Sequence, residues 1–117
     1  MKAVLLISHG SRSPQTKREV SDLVGRLHRL GAAEIVEFAF LELESPDILQ
    51  GIDICVKKGA TEIIVLLNFL NSGRHVDADI PAIIADAQMK HNNVSISITK
   101  PVGQHPGIDA LFLDLLK

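Results

Sequence analysis

The sequence predicts an α/β fold, a four-stranded parallel sheet of order 2-1-3-4 with helices packed on it. Three observations lead there. Four short runs rich in β-branched and aliphatic residues, Lys2 to Ser8, Glu34 to Phe40, Glu62 to Leu67 and Val94 to Thr99, alternate with stretches of helical period. Hydrophobic residues fill 46% of the 117 positions but aromatics only 3%, so the core is aliphatic, as suits a sheet buried on both faces. Strands linked by helical crossovers run parallel, because each helix returns the chain to the edge of the sheet from which the previous strand started.

Taken in order, the first strand is followed by a helix whose apolar positions Val20, Leu23, Val24, Leu27 and Leu30 repeat at i, i+3, i+4 and i+7, with Gly31 as its stop. The second strand leads into the apolar run around Ile52 to Val56, which holds the single cysteine, Cys55. After the third strand Asp79 is placed as an N-cap and Pro81 in the first turn, ahead of Ile80, Ile83, Ile84 and Ala87 on one face. The fourth strand precedes a last short helix from about Ile108, with Leu111, Phe112 and Leu115 aligned. Residues 1–117 are expected to form one domain. A chain of this mass buries roughly two-thirds of its extended surface. Four strands make a small sheet, so a second copy of the chain is a natural cover for an edge or helix face.

Twelve Lys and Arg against 14 Asp and Glu give a net charge of −2, without the basic field that nucleic acid binding requires. No apolar stretch has membrane-spanning length, and the run Ala3 to Ile7 is too short for a signal-peptide core. Cys55 reads as a buried spectator thiol of a reducing compartment. Together these features predict a cytoplasmic protein with no nucleic acid and no membrane partner.

The chemistry gathers where ligands of open parallel sheets bind, beyond the carboxyl ends of the strands. Ser8-His9-Gly10-Ser11-Arg12 follows the first strand, Glu42 and Glu44 the second, Asn68 to His75 the third, and Lys100 then His105-Pro106-Gly107 the fourth. In the order 2-1-3-4 the winding reverses between the first and third strands, so His9 and His75 flank the crevice. Two imidazoles over one cleft serve either as metal ligands or as proton acceptors. His28 and His91 lie within or at the ends of helices and read as surface or capping residues. His105 reads equally well as a turn residue. Gly10-Ser11 is either a tight turn or a backbone cradle for an anion. Neither GxxxxGK[ST] nor GxSxG occurs, which argues against a nucleotide loop and against a serine nucleophile. Asp77 and Asp79 read as a solvated face and a cap.

His-Gly-Ser-Arg at 9–12, then Phe69-Leu70, Gly73, His75 and Asp79-Ile80-Pro81, then His105-Pro106-Gly107, taken together resemble the short sirohydrochlorin chelatases of the CbiX family. The resemblance runs from the first strand to the last helix. It implies a chelatase-like three-layer sandwich equivalent to one half of the longer chelatases, and hence a homodimer. It implies ATP-independent insertion of a divalent metal into sirohydrochlorin, a reduced tetrapyrrole bearing many carboxylates, with no nucleotide cofactor. His9 and His75 carry over as the metal-handling and catalytic pair, and Glu42 joins them as a catalytic carboxylate. Ser11, Arg12, Asn71, Ser72, Gly73, Arg74 and His105 carry over as substrate-binding residues. Arg12, Arg74 and Lys100 suit pairing with substrate carboxylates. Gly73 is expected to let the loop turn so that His75 faces His9. Cobalt, as in cobalamin-type biosynthesis, is the preferred metal, with nickel and iron as alternatives. Two readings of other kinds stand beside this one, a carrier that binds metal or tetrapyrrole without turnover and a small signalling domain. The second lacks an acidic phosphoacceptor cluster after the first strand.

Overall fold

The structure, a computed structural model, describes Met1–Lys117. Its elements are β1 (Lys2–Ser8), α1 (Pro14–Arg29), β2 (Ile35–Phe40), α2 (Ile48–Lys57), β3 (Glu62–Leu67), a wide π-type turn at His75–Asp79, α3 (Ile80–Lys90), β4 (Ser95–Pro101), a 3-10 turn at Val102–Gln104, and α4 (Ile108–Leu115). All pairings are parallel and the order is β2-β1-β3-β4, as the sequence predicts. The predicted β1 and β3 match these bounds, while β2 starts one residue later and β4 runs on to Pro101. No helix is long and apolar enough to cross a membrane.

Alternation along the strands divides the core in two. Ala3, Leu5, Ile7, Ile63, Val65 and Leu67 meet α2 and α3 on one face, and Val4, Leu6, Val36 and Phe40 meet Val20 and Val24 of α1 on the other. Asp47 caps α2 in a reciprocal capping box: its carboxylate accepts from the Gln50 N–H at 2.8 Å while its own N–H donates to Gln50 Oε1 at 2.8 Å. Gly31, at φ 81°, ends α1 in the left-handed conformation that favours glycine. Cys55 is fully buried, and desolvation, reinforced by the charge of Glu37, pushes its thiol up to about 12, so it stays protonated and inert.

Two local readings need correction. Leu30 is not part of the apolar stripe: it is the α1 C-cap and 83% exposed, because Gly31 turns the chain before another helical turn can form. Asp79 is not an N-cap. Its backbone is already helical and its side chain caps no N–H, since the helical path begins earlier, with the Asp77 N–H donating to Gly73 O at 2.7 Å and the Ile80 N–H to His75 O. The chain enters α3 through this wide turn, and Pro81, which brings no N–H, sits just beyond it.

A carboxylate also ties the two helices of one face together. Asp53 of α2 accepts from His91 Nε2 at 2.7 Å and from Lys90 Nζ at 3.1 Å, both at the end of α3. The His91 hydrogen bond, with Lys90 adding to it, holds the Asp53 carboxyl below its ordinary value of 3.8 against the opposing effect of desolvation. A depressed carboxyl contributes stability that is complete above its unfolded pKa and is lost as pH falls through the folded one. Asp53→Asn should therefore lower stability by on the order of 1 kcal/mol near pH 6, the range of a partly exposed pair. Urea midpoints of the two proteins should converge below about pH 3. Equal midpoints at pH 6 would show that the tie contributes nothing.

Candidate active site

The hydrogen-bond ladder of the sheet does not stop at the strand ends. The Leu41 N–H donates to Ser8 O at 2.9 Å and the Glu42 N–H to His9 O at 3.0 Å, extending the β1–β2 pairing by one further step. On the other side the Asn68 N–H donates to Ile7 O at 2.8 Å, and Asn68 Nδ2 reaches Ser8 Oγ at 3.0 Å. Three loops therefore leave the sheet in register. The contact between the first two is so close that a Cβ at Gly10, where φ is 103°, would lie 1.8 Å from the Glu42 carbonyl oxygen, so only glycine fits. Glu44 closes the join by accepting the Ser11 N–H at 2.9 Å.

This framework brings His9, Glu42 and His75 together. One potential ligand atom from each lies within 4.8 Å of the others. The two imidazole centroids are 5.5 Å apart with planes tilted by 59°, and His9 Nε2 is 2.7 Å from Glu42 Oε1. His9 Nδ1 lies 3.1 Å from Gly10 O, so both its ring nitrogens face acceptor oxygens. It can donate to both only as an imidazolium. A divalent cation between Nε2 and the Glu42 carboxylate satisfies the same two groups in place of that proton. Two nitrogens and an oxygen suit borderline divalent metals.

The third histidine contact is one the sequence reading missed. His75 Nδ1 lies 2.9 Å from Asp79 Oδ2, four residues on along the helical path. The carboxylate accepts an Nδ1–H, which leaves Nε2 with a free lone pair. Asp79 thus orients His75, and the sequence signal for it was the i, i+4 spacing of histidine and carboxylate, obscured by a position that also looks like a cap.

The remaining predicted residues lie around this cluster in different states of engagement. Arg12 and Arg74 are exposed and, like Lys100, form no ion pair with a carboxylate of the protein. Asn71 and Ser72 are exposed in the loop after β3. Ser11 is committed to its own turn, its N–H to Glu44 and its Oγ accepting the Ser13 N–H at 3.1 Å, so the anion held by this turn is internal. Gly73 has open space where a Cβ would lie and no left-handed φ, so the loop does not require glycine there; the direction of His75 comes from the helical turn instead. His105 Nδ1 accepts the Gly107 N–H at 2.8 Å, a contact that shapes the turn before α4.

The sequence profile of the CbiX family matches residues 3–117. The chain belongs to the CbiX family. It is 40% identical over 106 residues to a sirohydrochlorin cobaltochelatase of Priestia megaterium, an alignment covering 90% of this chain and 34% of that protein. It is 34% identical over 102 residues to a chloroplastic sirohydrochlorin ferrochelatase of Arabidopsis thaliana, covering 87% of this chain and 45% of the relative. The crystal structure of the sirohydrochlorin chelatase SirB from Bacillus subtilis subspecies spizizenii in complex with cobalt superposes with a TM-score of 0.87 at 33% identity, over 98% of this chain and 50% of SirB. This CbiX-family chain thus spans half or less of the length of these relatives.

Two outcomes follow from the geometry. Asp79→Ala should weaken Co²⁺ binding, read by calorimetry, about 10- to 100-fold, the usual cost of losing a carboxylate behind a ligating histidine. Asp79→Asn, which keeps an acceptor oxygen, should recover part of the loss, and unchanged affinity in both variants would show that Asp79 does not orient the ring. Glu42→Gln, which removes the negative charge beside His9 Nε2, should likewise weaken Co²⁺ binding on the order of 10-fold or more, and an unchanged affinity would show that the carboxylate takes no part in holding the ion.

Proposed function

We propose that this protein inserts a divalent metal ion into sirohydrochlorin without a nucleotide cofactor, and that cobalt is its metal. The observation that carries the reading is the convergence of His9, Glu42 and His75 on one point at the sheet's carboxyl edge. Metallation forms bonds from the macrocycle nitrogens to M²⁺ while two pyrrole N–H bonds break, so two protons must leave. The imidazoles of His9 and His75 replace water on the incoming ion, hold it without enclosing it, and accept the departing protons once the ion has moved to the macrocycle. Glu42 offsets the positive charge and passes protons to solvent. Its side chain is about half exposed, like those of both histidines, so the route to water is open.

Sirohydrochlorin carries many carboxylates, and a chain of net charge −2 needs local cations to hold it. Arg12, Arg74 and Lys100, free of internal carboxylates, fill that role, with Asn71, Ser72, the backbone at Gly73, the Ser11 hydroxyl and the His105 ring as polar neighbours. The cobaltochelatase of Priestia megaterium and SirB in complex with cobalt support cobalt, and the Arabidopsis ferrochelatase makes iron the alternative. Nickel stays open because the same donor set suits it. Because relatives of this kind are about twice the length or more, two copies of the chain, acting in the cytoplasm, together build the cleft that encloses the macrocycle.

Catalytic amounts of protein, anaerobic sirohydrochlorin and Co²⁺, Ni²⁺ or Fe²⁺ in separate cuvettes test this. Many turnovers per protein above the protein-free rate are expected, fastest with Co²⁺, and His75→Ala or His9→Ala should lower the rate by at least about 100-fold with the circular dichroism spectrum unchanged. An absorbance change that stops at one equivalent per protein would instead establish a carrier.

A further inference from the structure

Leu43 is the only residue other than glycine whose backbone lies in the left-handed region, at φ 71°. A bulky side chain there is an outlier, because its Cβ crowds the following carbonyl oxygen. The hydrogen bonding explains the shape. The Glu44 N–H donates back to Glu42 O at 2.9 Å, which closes a three-residue γ-turn on Leu43. With a positive φ at its centre this is the rare and strained form of that turn. Burial does not offset the strain, since Leu43 is 55% exposed. A strained backbone of this kind persists only where its surroundings over-determine it, and such residues collect at functional sites.

The turn begins at the metal cluster itself, because its first residue is Glu42, whose carboxylate is 2.7 Å from His9 Nε2. The loop that carries it is closed at its base, where the Phe40 N–H donates to Pro46 O at 2.8 Å and Phe40 bridges to Asp47. Leu41 and Glu42 are held by the ladder to Ser8 and His9. Beyond Glu42 one hydrogen bond joins the apex to another segment, from the Ser11 N–H to the Glu44 carboxylate at 2.9 Å. An ionised acceptor makes such a bond stronger than a neutral pair. Glu44 is partly buried while Glu42, Leu43 and Ser45 are exposed, and it is not among the three residues whose ligand atoms converge. Two glutamates of one loop therefore have separate duties. Ser11 stands two residues beyond His9, and Glu44 two beyond Glu42, so the bond between them closes a ring with the ladder bond from Glu42 to His9.

We propose that Glu44 is a positioning residue of the metal site: its carboxylate, fastened to the Ser11 N–H, keeps the strained turn at Leu43 closed and so fixes the Glu42 carboxylate opposite His9. This rests on the reading of His9, Glu42 and His75 as the group that receives the metal, and it names what holds that group in place. Without the clamp, Leu43 relaxes to negative φ, the turn opens and Glu42 loses its fixed distance from His9. A cation then meets both ligands together only part of the time, and its apparent affinity falls by that fraction. The same strain makes the clamp necessary, since a glycine in place of Leu43 adopts the left-handed conformation without opposition.

The test uses the full chain. In the metal-free protein, hydrogen exchange of the Ser11, Glu42 and Glu44 amides, followed by NMR, should quicken on the order of 10-fold in Glu44→Ala, with the Leu5 and Val65 amides of the sheet unchanged. Calorimetry should show Co²⁺ binding weakened about 10- to 100-fold in the same variant. Two further variants separate position from charge. Glu44→Gln keeps an acceptor oxygen for the Ser11 N–H and should hold Co²⁺ more tightly than Glu44→Ala. Leu43→Gly, added to Glu44→Ala, removes the strain that the clamp opposes and should restore part of the lost affinity, a coupling that a double-mutant cycle measures. Native exchange and native Co²⁺ affinity in Glu44→Ala would overturn the proposal. So would a Glu44→Gln variant as weak as Glu44→Ala, since charge and not contact would then be the cause, or a loss that Leu43→Gly does not reduce. None of these measurements involves sirohydrochlorin. A protein that shows the clamp and both rescues but makes no metallated tetrapyrrole would sink the chelatase reading and leave this one standing.

Discussion

The structure depends on a parallel ladder that continues past the ends of its central strands. Backbone bonds from Leu41 to Ser8, from Glu42 to His9 and from Asn68 to Ile7 carry the register of a rigid, aliphatic sheet into three loops that would otherwise be free. Buried strands move little, because a close-packed interior resists small displacements. A side chain one or two residues beyond such a strand inherits that precision. His9 and Glu42 are placed in this way, and His75 is placed by a helical turn that springs from the third strand of the same ladder. The close approach of Gly10 to the Glu42 carbonyl is the geometric cost of drawing two loops so near each other.

The electrostatics of the cluster are arranged for exchange more than for retention. Each histidine has a carboxylate of its own, Glu42 for His9 and Asp79 for His75, and none of the four side chains is buried. A cation bound there is balanced by negative charge yet stays in contact with water, which limits the strength of any single interaction. A structural metal site is commonly closed by four protein ligands, and this one offers three. On the chelatase reading this openness is useful, because the ion must be handed on. It also explains why the surrounding cations matter: Arg12, Arg74 and Lys100 form no internal pairs, and a polycarboxylate is the kind of ligand that would engage all three.

Much of this was legible in the sequence, for reasons that differ by element. Strand runs such as Lys2 to Ser8 and Glu62 to Leu67 are continuous and aliphatic, and a sheet buried on both faces writes itself into sequence in that form. The placement of His9 and Glu42 at one edge followed from topology, since residues just after a parallel strand lie there, and the loop after β3 brings His75 to the same edge. What was not legible depended on contacts between distant segments or on competing local rules. Asp79 satisfies the pattern for a cap, and only the earlier start of the helical path, at Arg74, turns it toward His75 instead. The hold of Glu44 on Ser11 spans 33 residues and leaves no local signature. Leu30 and the α4 leucines fit an amphipathic period, but periodicity reports which residues share a face and not whether that face is covered.

The central claim is that strand-end residues from three loops converge on one metal ion. X-ray absorption at the cobalt edge of the Co²⁺-loaded protein, compared with the His9→Ala and His75→Ala variants, tests it most directly. The account predicts two imidazole nitrogens and at least one carboxylate oxygen at roughly 2.0–2.2 Å in the native protein, with one imidazole lost in each variant. A spectrum of a fully hydrated ion, or one that neither substitution changes, would contradict it.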